Sequence, residues 1–425
     1  MTTSQFVVLT ALLLVSGCAH APREQSADLV IQNVEVVDTR TGEIARDRIV
    51  AITDGKIVSI GSARVQGAVT IDGRGRYLTP GFIDSHIHAT EDEQGRTAFP
   101  LLIANGVTTI REENPSPGVR QIADQVRRDV ETGRRIAPDI VFQGGEQHLT
   151  LGQNTLDQVN AGKPSIDHLG AGMGLILDCS SDSDAIRRDY IDRGYKMKLP
   201  PSAEFLINPR AFDGEKDAPF YQRIIDTYSD EKCLALIQAF VRNSTWQTVT
   251  LIRMRTQDFA DDAEYTQSEN LKYVRPQELE AWKSVAKRFS TLPPEAVTTL
   301  RRYYDLQLHV TKLMSDNGVR ILAGSDGGNW SIPGFSLHNE FRELSRAGLT
   351  PLQVLQATTL APAEFLGREA QTGTVDVGKD ADLVLLDGNP VADVANLGRI
   401  SGVILNGRYL SKADLDALKS GVEAH

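Results

Sequence analysis

The sequence predicts an α/β chain: a parallel (β/α) barrel with a small β-sandwich beside it, assembled from both chain ends. Three observations lead there. Short apolar runs alternate with helical stretches through the middle of the chain, the pattern of a parallel sheet whose strands are joined by helices. Strand-like segments gather at both ends, and neither set can bury both faces alone. Two apolar runs in the middle end in residues that bind metals, Phe82-Ile83-Asp84-Ser85-His86-Ile87-His88 and Ile321-Leu322-Ala323-Gly324-Ser325-Asp326. Alternate side chains of a strand share a face, so His86 and His88 point the same way. The ends of barrel strands are where such folds keep their chemistry.

The elements follow in chain order. Phe6 to Val15 is a short apolar run before Ser16-Gly17-Cys18. It is too short to span a bilayer as a helix and suits the core of an export signal. Residues 1–17 are therefore expected to be removed, although Met1 to Gln5 lacks the usual basic residues. Cys18 resembles the acylated cysteine of a bacterial lipoprotein, which would anchor the chain facing the periplasm, at the outer membrane since Ala19 follows. Residues 18–27 then form a polar tether. Leu29 to Asp38 alternates as a strand, and Ile49 to Thr53 pairs with Lys56 to Ile60 across Asp54-Gly55, a type I′ signal. Residues 28–80 are the first part of the sandwich. Residues 371–425 supply the rest, with strands at Ala381 to Leu386 and Gly402 to Tyr409, the latter turning at Asn406-Gly407.

Between them, residues 81–370 form the barrel. Strands are expected at Gly106 to Arg111, Pro138 to Gly145 and Thr245 to Met254. Helices are expected at Gly118 to Thr132, Leu234 to Arg242 and Ala296 to Asn317. The net charge of −11 argues against nucleic acid and anionic lipid as partners, leaving a small-molecule substrate and membrane contact only through the anchor. Oligomeric state is not legible. Besides Cys18 the chain has only Cys179 and Cys233, which make no disulfide framework. They are expected as free buried thiols, with a single disulfide as the alternative.

The metal-ligand runs, with Pro333-Gly334-Phe335-Ser336-Leu337-His338, Ala357-Thr358-Thr359-Leu360-Ala361-Pro362-Ala363 and Gly378-Lys379-Asp380-Ala381-Asp382, resemble the amidohydrolase superfamily in its imidazolonepropionase-like, secreted Xaa-Arg dipeptidase-like branch. The resemblance covers Asn33 to His88 and Ile321 to Leu410 most clearly and implies a TIM-like barrel. It also implies two further histidine ligands, at the ends of the fifth and sixth barrel strands. His148 and His168 fit that pair by their spacing, and Ser165-Ile166-Asp167-His168-Leu169 is similar to the sixth-strand motif. The family's fourth-strand lysine, which bridges two metals, has no counterpart: no lysine lies between His88 and His148. That short connection implies a barrel missing one β/α unit. Lys198, in Gly194-Tyr195-Lys196-Met197-Lys198-Leu199, is the candidate ligand of a rival register.

The expected centre is therefore one divalent ion, zinc by preference and two as the alternative, held by His86, His88, His148, His168 and Asp326. Asp326 would also act as general base for a water attacking an amide or peptide bond of a dipeptide or N-acyl amino acid. His338 is a candidate substrate contact. Arg253 and Arg255 read as solvated surface arginines that could otherwise meet a substrate carboxylate. Two rival readings remain: a catalytically impaired, metal-binding homologue, and a lactone or ester hydrolase using the same site.

Overall fold

The computed structural model describes residues 26–90, 94–143, 149, 153–169, 174–192, 214–328 and 330–422. Cys18 and its export segment, His148 and the Lys198 segment all lie outside these residues.

Both chain ends meet in one sheet. The N-terminal part supplies β1 (Ser26–Val37), β2 (Ile44–Thr53), β3 (Lys56–Gly61), β4 (Gln66–Asp72) and β5 (Tyr77–Pro80). In chain order the barrel strands follow as β6 (Phe82–Ile87), β7 (Val107–Glu112), β8 (Asp139–Val141), β9 (Ser165–Asp167), β10 (Trp246–Thr248) and β11 (Ile321–Leu322). The C-terminal part returns with β12 (Leu383–Leu386), β13 (Ile400–Leu405) and β14 (Arg408–Ser411). The terminal sheet runs β14-β13-β12-β5-β1-β2-β3, with β4 also on β1. The seam between the two ends is the antiparallel pair β5–β12, with Thr79 opposite Val384. Both two-residue turns form as expected. Asp54 and Gly55 sit at φ 49° and 70°, Asn406 and Gly407 at 50° and 78°, the left-handed pair that a type I′ turn requires. Leu29 and Ile31 of β1, Val50 and Ile52 of β2, and Leu383 and Leu385 of β12 share a separate apolar core, one face of each strand at period two.

The central strands form two three-stranded parallel sheets, β6-β7-β8 and β9-β10-β11. Backbone bonds join them side by side: Ser85 N donates to Ala323 O at 2.9 Å, and Asp326 N to His86 O at 2.6 Å. Every residue of β6 and β7 is buried, as expected for parallel strands covered on both faces. Among the described residues no strand lies between β8 and β9. The helices Pro117–Glu131, Asp230–Asn243 and Pro294–Asp316 occupy the positions that the sequence indicates.

Two expectations are corrected. The strand expected over Thr245 to Met254 pairs only through Trp246–Thr248. Thr250 then turns left-handed, φ 46°, and the helix Leu251–Asp258 begins. The cause is tertiary: the buried Glu340 carboxylate, from the helix Phe335–Arg346, accepts Ile252 N at 2.7 Å. It thereby satisfies a helix N-terminus that has no side-chain cap of its own. The thiols are not free either. Cys179 and Cys233 form a disulfide, with Cα atoms 4.4 Å apart. A cysteine count cannot show that Cys179 packs on the helix Asp230–Asn243.

Candidate metal centre

Three histidines converge on one carboxylate. His86 lies in β6, His88 just beyond it, His168 just beyond β9, and Asp326 on the turn after β11. The Nε2 atoms of His86 and His88 lie 3.6 Å from Asp326 Oδ1, and His168 Nε2 lies 3.5 Å from Oδ2. Two of these four residues hold unusual backbone: His168 at φ 65° and Asp326 at φ 56°. Non-glycine residues seldom adopt that region, and such strain gathers at functional sites. Asp84 braces the turn, accepting Ser325 N at 3.0 Å and Ser325 Oγ at 2.5 Å; burial pushes its carboxyl up to about 6. Gly324 must be glycine, since a Cβ there would stand 2.7 Å from His86 Cβ and 2.9 Å from Thr248 Cγ2.

Hydrogen bonds set the tautomers. His86 Nδ1 lies 3.0 Å from Asp167 Oδ2, and a carboxylate only accepts, so Nδ1 carries the proton. Thr250 Oγ1 spends its hydrogen on Val249 O at 2.8 Å, so it accepts from His168 Nδ1 at 2.5 Å. In both rings Nε2 is thereby turned toward Asp326, the arrangement that would present its lone pair to a bound metal. Burial alone would lower the pKa of His86, but Asp326, Glu113 and Asp167 outweigh it and raise the value to about 9. The site thus favours positive charge at its centre. Imidazole nitrogens with a carboxylate are the donor set of zinc and related divalent ions, and these residues fit such an ion. His86, His168 and Asp326 offer ligand atoms within 4.8 Å of one another.

Sequence reasoning missed three contributors. Asp167 orients His86, as above. Arg111 is wholly buried on β7 and reaches Asp167 at 2.9 Å; Glu113 lies 2.8 Å from that arginine. The signal for Asp167 was present, since it adjoins His168 in the segment already singled out. For Arg111 there was none.

Other readings change. Arg253 is not a solvated arginine: its side chain is 14% exposed and Nε lies 2.7 Å from Asp326 Oδ2. The turn at Thr250 swings it inward. Arg255 is also buried, paired with Asp262 at 2.9 Å and stacked 3.5 Å from the Phe259 ring centroid. His338 does not face the centre. It lies in the helix Phe335–Arg346, donates Nε2–H to Asn105 O at 2.9 Å and stands edge-on to Phe82 and Phe341. Phe82 begins β6 and Asn105 precedes β7, so His338 occupies the opposite end of the strands from Asp326. A pattern that places it shortly after Asp326 cannot reveal that the helix carries it away. A cleft beside the centre is lined by His88, Leu101, Tyr273, Val274, Trp282 and Asp326, with Arg275 and Glu278 at its wall.

The model of the amidohydrolase family matches residues 306–410. An adenine deaminase from Geobacillus kaustophilus is 26% identical over 379 residues, covering 87% of this chain and 56% of that protein. The chain thus spans about half the length of that relative. An imidazolonepropionase from Sphingopyxis alaskensis is 25% identical over 381 residues, covering 83% of this chain and 89% of that protein. The solved structure of bottromycin amidohydrolase superposes with a TM-score of 0.59 at 21% identity, covering 93% of this chain and 90% of that one, a likeness of fold. The matched segment carries Asp326, β11 and the returning strands of the terminal sheet, and the longer alignments reach through the histidine strands. Over residues 306–410, and at about a quarter identity over most of its length, the chain is similar to amidohydrolases.

Proposed function

We propose that this chain is a metal-dependent hydrolase of a C–N bond in a small substrate. The observation that carries the reading is the convergence of the Nε2 atoms of His86, His88 and His168 on Asp326 at 3.5–3.6 Å. These four residues would hold the ion, zinc by preference, with His148 as a further candidate. A divalent ion bound there supplies a water whose pKa falls from about 15.7 to near 7, and a Lewis acid for the scissile carbonyl. Asp326 would be placed to accept a proton from an attacking water and to return it to the leaving amine. Asp167 keeps His86 in its Nδ1–H tautomer, and the left-handed turns at His168 and Asp326 aim both groups inward.

The substrate class follows from the walls. Tyr273, Val274, Trp282 and Leu101 offer an apolar, partly aromatic surface, suited to a side chain or acyl group. Arg253 supplies a cation next to the reacting centre, suited to a substrate carboxylate. A dipeptide or an N-acyl amino acid meets both demands. We read the frame as a (β/α) barrel short of a β/α unit, flanked by a sandwich of the chain ends. We also place the protein in the cell envelope, anchored through Cys18. The Cys179–Cys233 disulfide supports that address, since such bonds persist in oxidising compartments.

The test is to strip the protein with a chelator, restore Zn2+, and assay a panel of dipeptides, N-acyl amino acids, lactones and esters. Metal-dependent release of amine supports the reading. Activity confined to lactones or esters, or activity indifferent to metal removal, overturns it.

A further inference from the structure

The cleft beside the metal centre carries charge of its own. Apart from His88 and Asp326, the charged side chains among the described residues that line it are Arg275 and Glu278. Both belong to the start of the helix Pro276–Phe289, where Arg275 is the N-cap residue. Their pairing is loose. Arg275 Nε stands 3.7 Å from Glu278 Oε2, and the two side chains are 49% and 40% exposed. That separation exceeds a hydrogen bond, and an ion pair so open to water contributes little. The Glu278 carboxylate therefore keeps acceptor positions for a ligand.

Its neighbour along the helix is aromatic. Trp282 lies four residues on, one turn away on the same helix face, and lines the same cleft. A carboxylate beside an indole is the pairing that holds an ammonium group, by charge and by the ring's π face. Tyr273 serves this less well, since it already stacks on Phe335 and has Lys272 Nζ 5.0 Å from its ring centroid. Arg275 is the more exposed member of its pair. A substrate carboxylate has a better cation in Arg253, 14% exposed and next to Asp326.

We propose that Glu278, with Trp282 beside it, receives the free α-ammonium group of the substrate, so that the protein takes unblocked dipeptides in preference to N-acyl amino acids. Resting on the hydrolase reading above, this contact narrows its substrate class. A dipeptide carries a cation on its acyl part and an anion on its amine part, and Glu278 and Arg253 answer those two termini with opposite charge. An N-acyl amino acid answers only Arg253. Its acyl chain would displace water from Glu278 and return no countercharge, which penalises a carboxylate.

The experiment compares three substrates on the Zn2+-restored full chain. They are alanyl-phenylalanine, N-propionyl-phenylalanine, which lacks only the ammonium group, and N-propionyl-lysine, which carries its ammonium on the side chain. Wild type is expected to show a KM for alanyl-phenylalanine about tenfold or more below that for N-propionyl-phenylalanine, the scale of a hydrogen bond to a charged group. Glu278→Gln is expected to erase that gap by raising KM for alanyl-phenylalanine alone, and Glu278→Asp to restore part of it. Calorimetry of alanyl-phenylalanine on the chelator-treated chain reads the same contact without turnover, and Glu278→Gln is expected to raise Kd by a similar factor. No preference in wild type, or a preference that survives Glu278→Gln, overturns the inference. So does an equal loss on all three substrates, which would make Glu278 structural, and so does a loss confined to N-propionyl-lysine, which would assign the carboxylate to a side-chain cation. No hydrolysis of any substrate would instead refute the hydrolase reading, and the calorimetric difference then decides the contact by itself.

Discussion

At the scale of single residues, the centre joins one group expected to accept a proton to another that restrains it. Arg253 lies 2.7 Å from Asp326 Oδ2, and a guanidinium at that distance stabilises the carboxylate and makes it a poorer base. A substrate carboxylate that draws Arg253 away would release Asp326 as the substrate binds. Arg253→Met should therefore raise KM for substrates with a free carboxylate at least tenfold and leave KM for their amidated analogues nearly unchanged. Equal effects on both would deny Arg253 that contact. Asp326→Asn keeps the shape and removes the carboxylate proposed as the base; kcat should fall by roughly 10²–10⁴, the usual contribution of general acid–base catalysis. His338 permits a prediction about pH. Burial holds its imidazole down at about 4, with Lys419 and Arg342 adding to the effect, against an ordinary value of 6.5. Above pH 6.5 the ring is neutral folded and unfolded and contributes no pH dependence. Below it the unfolded chain takes up a proton that the folded chain refuses, so stability is lost as pH falls from about 6.5 toward 4. At about 1.4 kcal/mol per unit of difference, the loss approaches about 3 kcal/mol. Urea unfolding at pH 7 and pH 4.5 should show wild type losing about 2–3 kcal/mol more than His338→Gln.

At the scale of elements, what the sequence reveals depends on how local the cause is. His86, His88 and Asp326 were legible because each ends a short apolar run, and strand ends point at a barrel's mouth; His168 was legible only through the likeness of Ile166-Asp167-His168-Leu169 to the family's sixth-strand motif. The turns at Asp54-Gly55 and Asn406-Gly407 were legible because two residues determine them. Arg253 was not, because the strand that carries its segment stops after Thr248 for a reason located at Glu340. Arg111 was not, because an arginine in an apolar strand is understood only once Asp167, 56 positions away, is seen beside it. The disulfide joins residues separated by 54 positions and leaves no local trace. Two of these give element-scale expectations. Glu340→Ala should leave the first turn of Leu251–Asp258 uncapped, costing about 1–2 kcal/mol by the usual value of a cap and lowering turnover by loosening Arg253. Unchanged turnover in a destabilised variant would separate the cap from the site. Cys233→Ser releases a loop whose closure is worth about 4 kcal/mol in the chain-entropy model. Wild type in reductant and the variant without it should melt at similar, lowered temperatures, and thiol titration of unreduced, unfolded wild type should find neither Cys179 nor Cys233 reactive.

At the scale of the whole molecule, the ion and the fold are linked. A ligand that binds only the folded chain stabilises it by about 2.7 kcal/mol at a hundredfold excess over Kd. Chelator should therefore lower the melting temperature of wild type, and Zn2+ should restore it; a melting temperature indifferent to both would place no ion among these histidines. The terminal sheet has a separate consequence, in time rather than in energy. Thr39 donates to the carbonyl of Gly373, 334 positions away, and one edge of β5 has no partner until Leu383–Leu386 exists. An unpaired edge of this kind is a template for pairing with another chain, and contacts this distant in sequence form slowly. While the chain is being made, its first strands are synthesised long before the strands that complete their sheet. The terminal sheet can therefore close only after Leu383–Leu386 has been made.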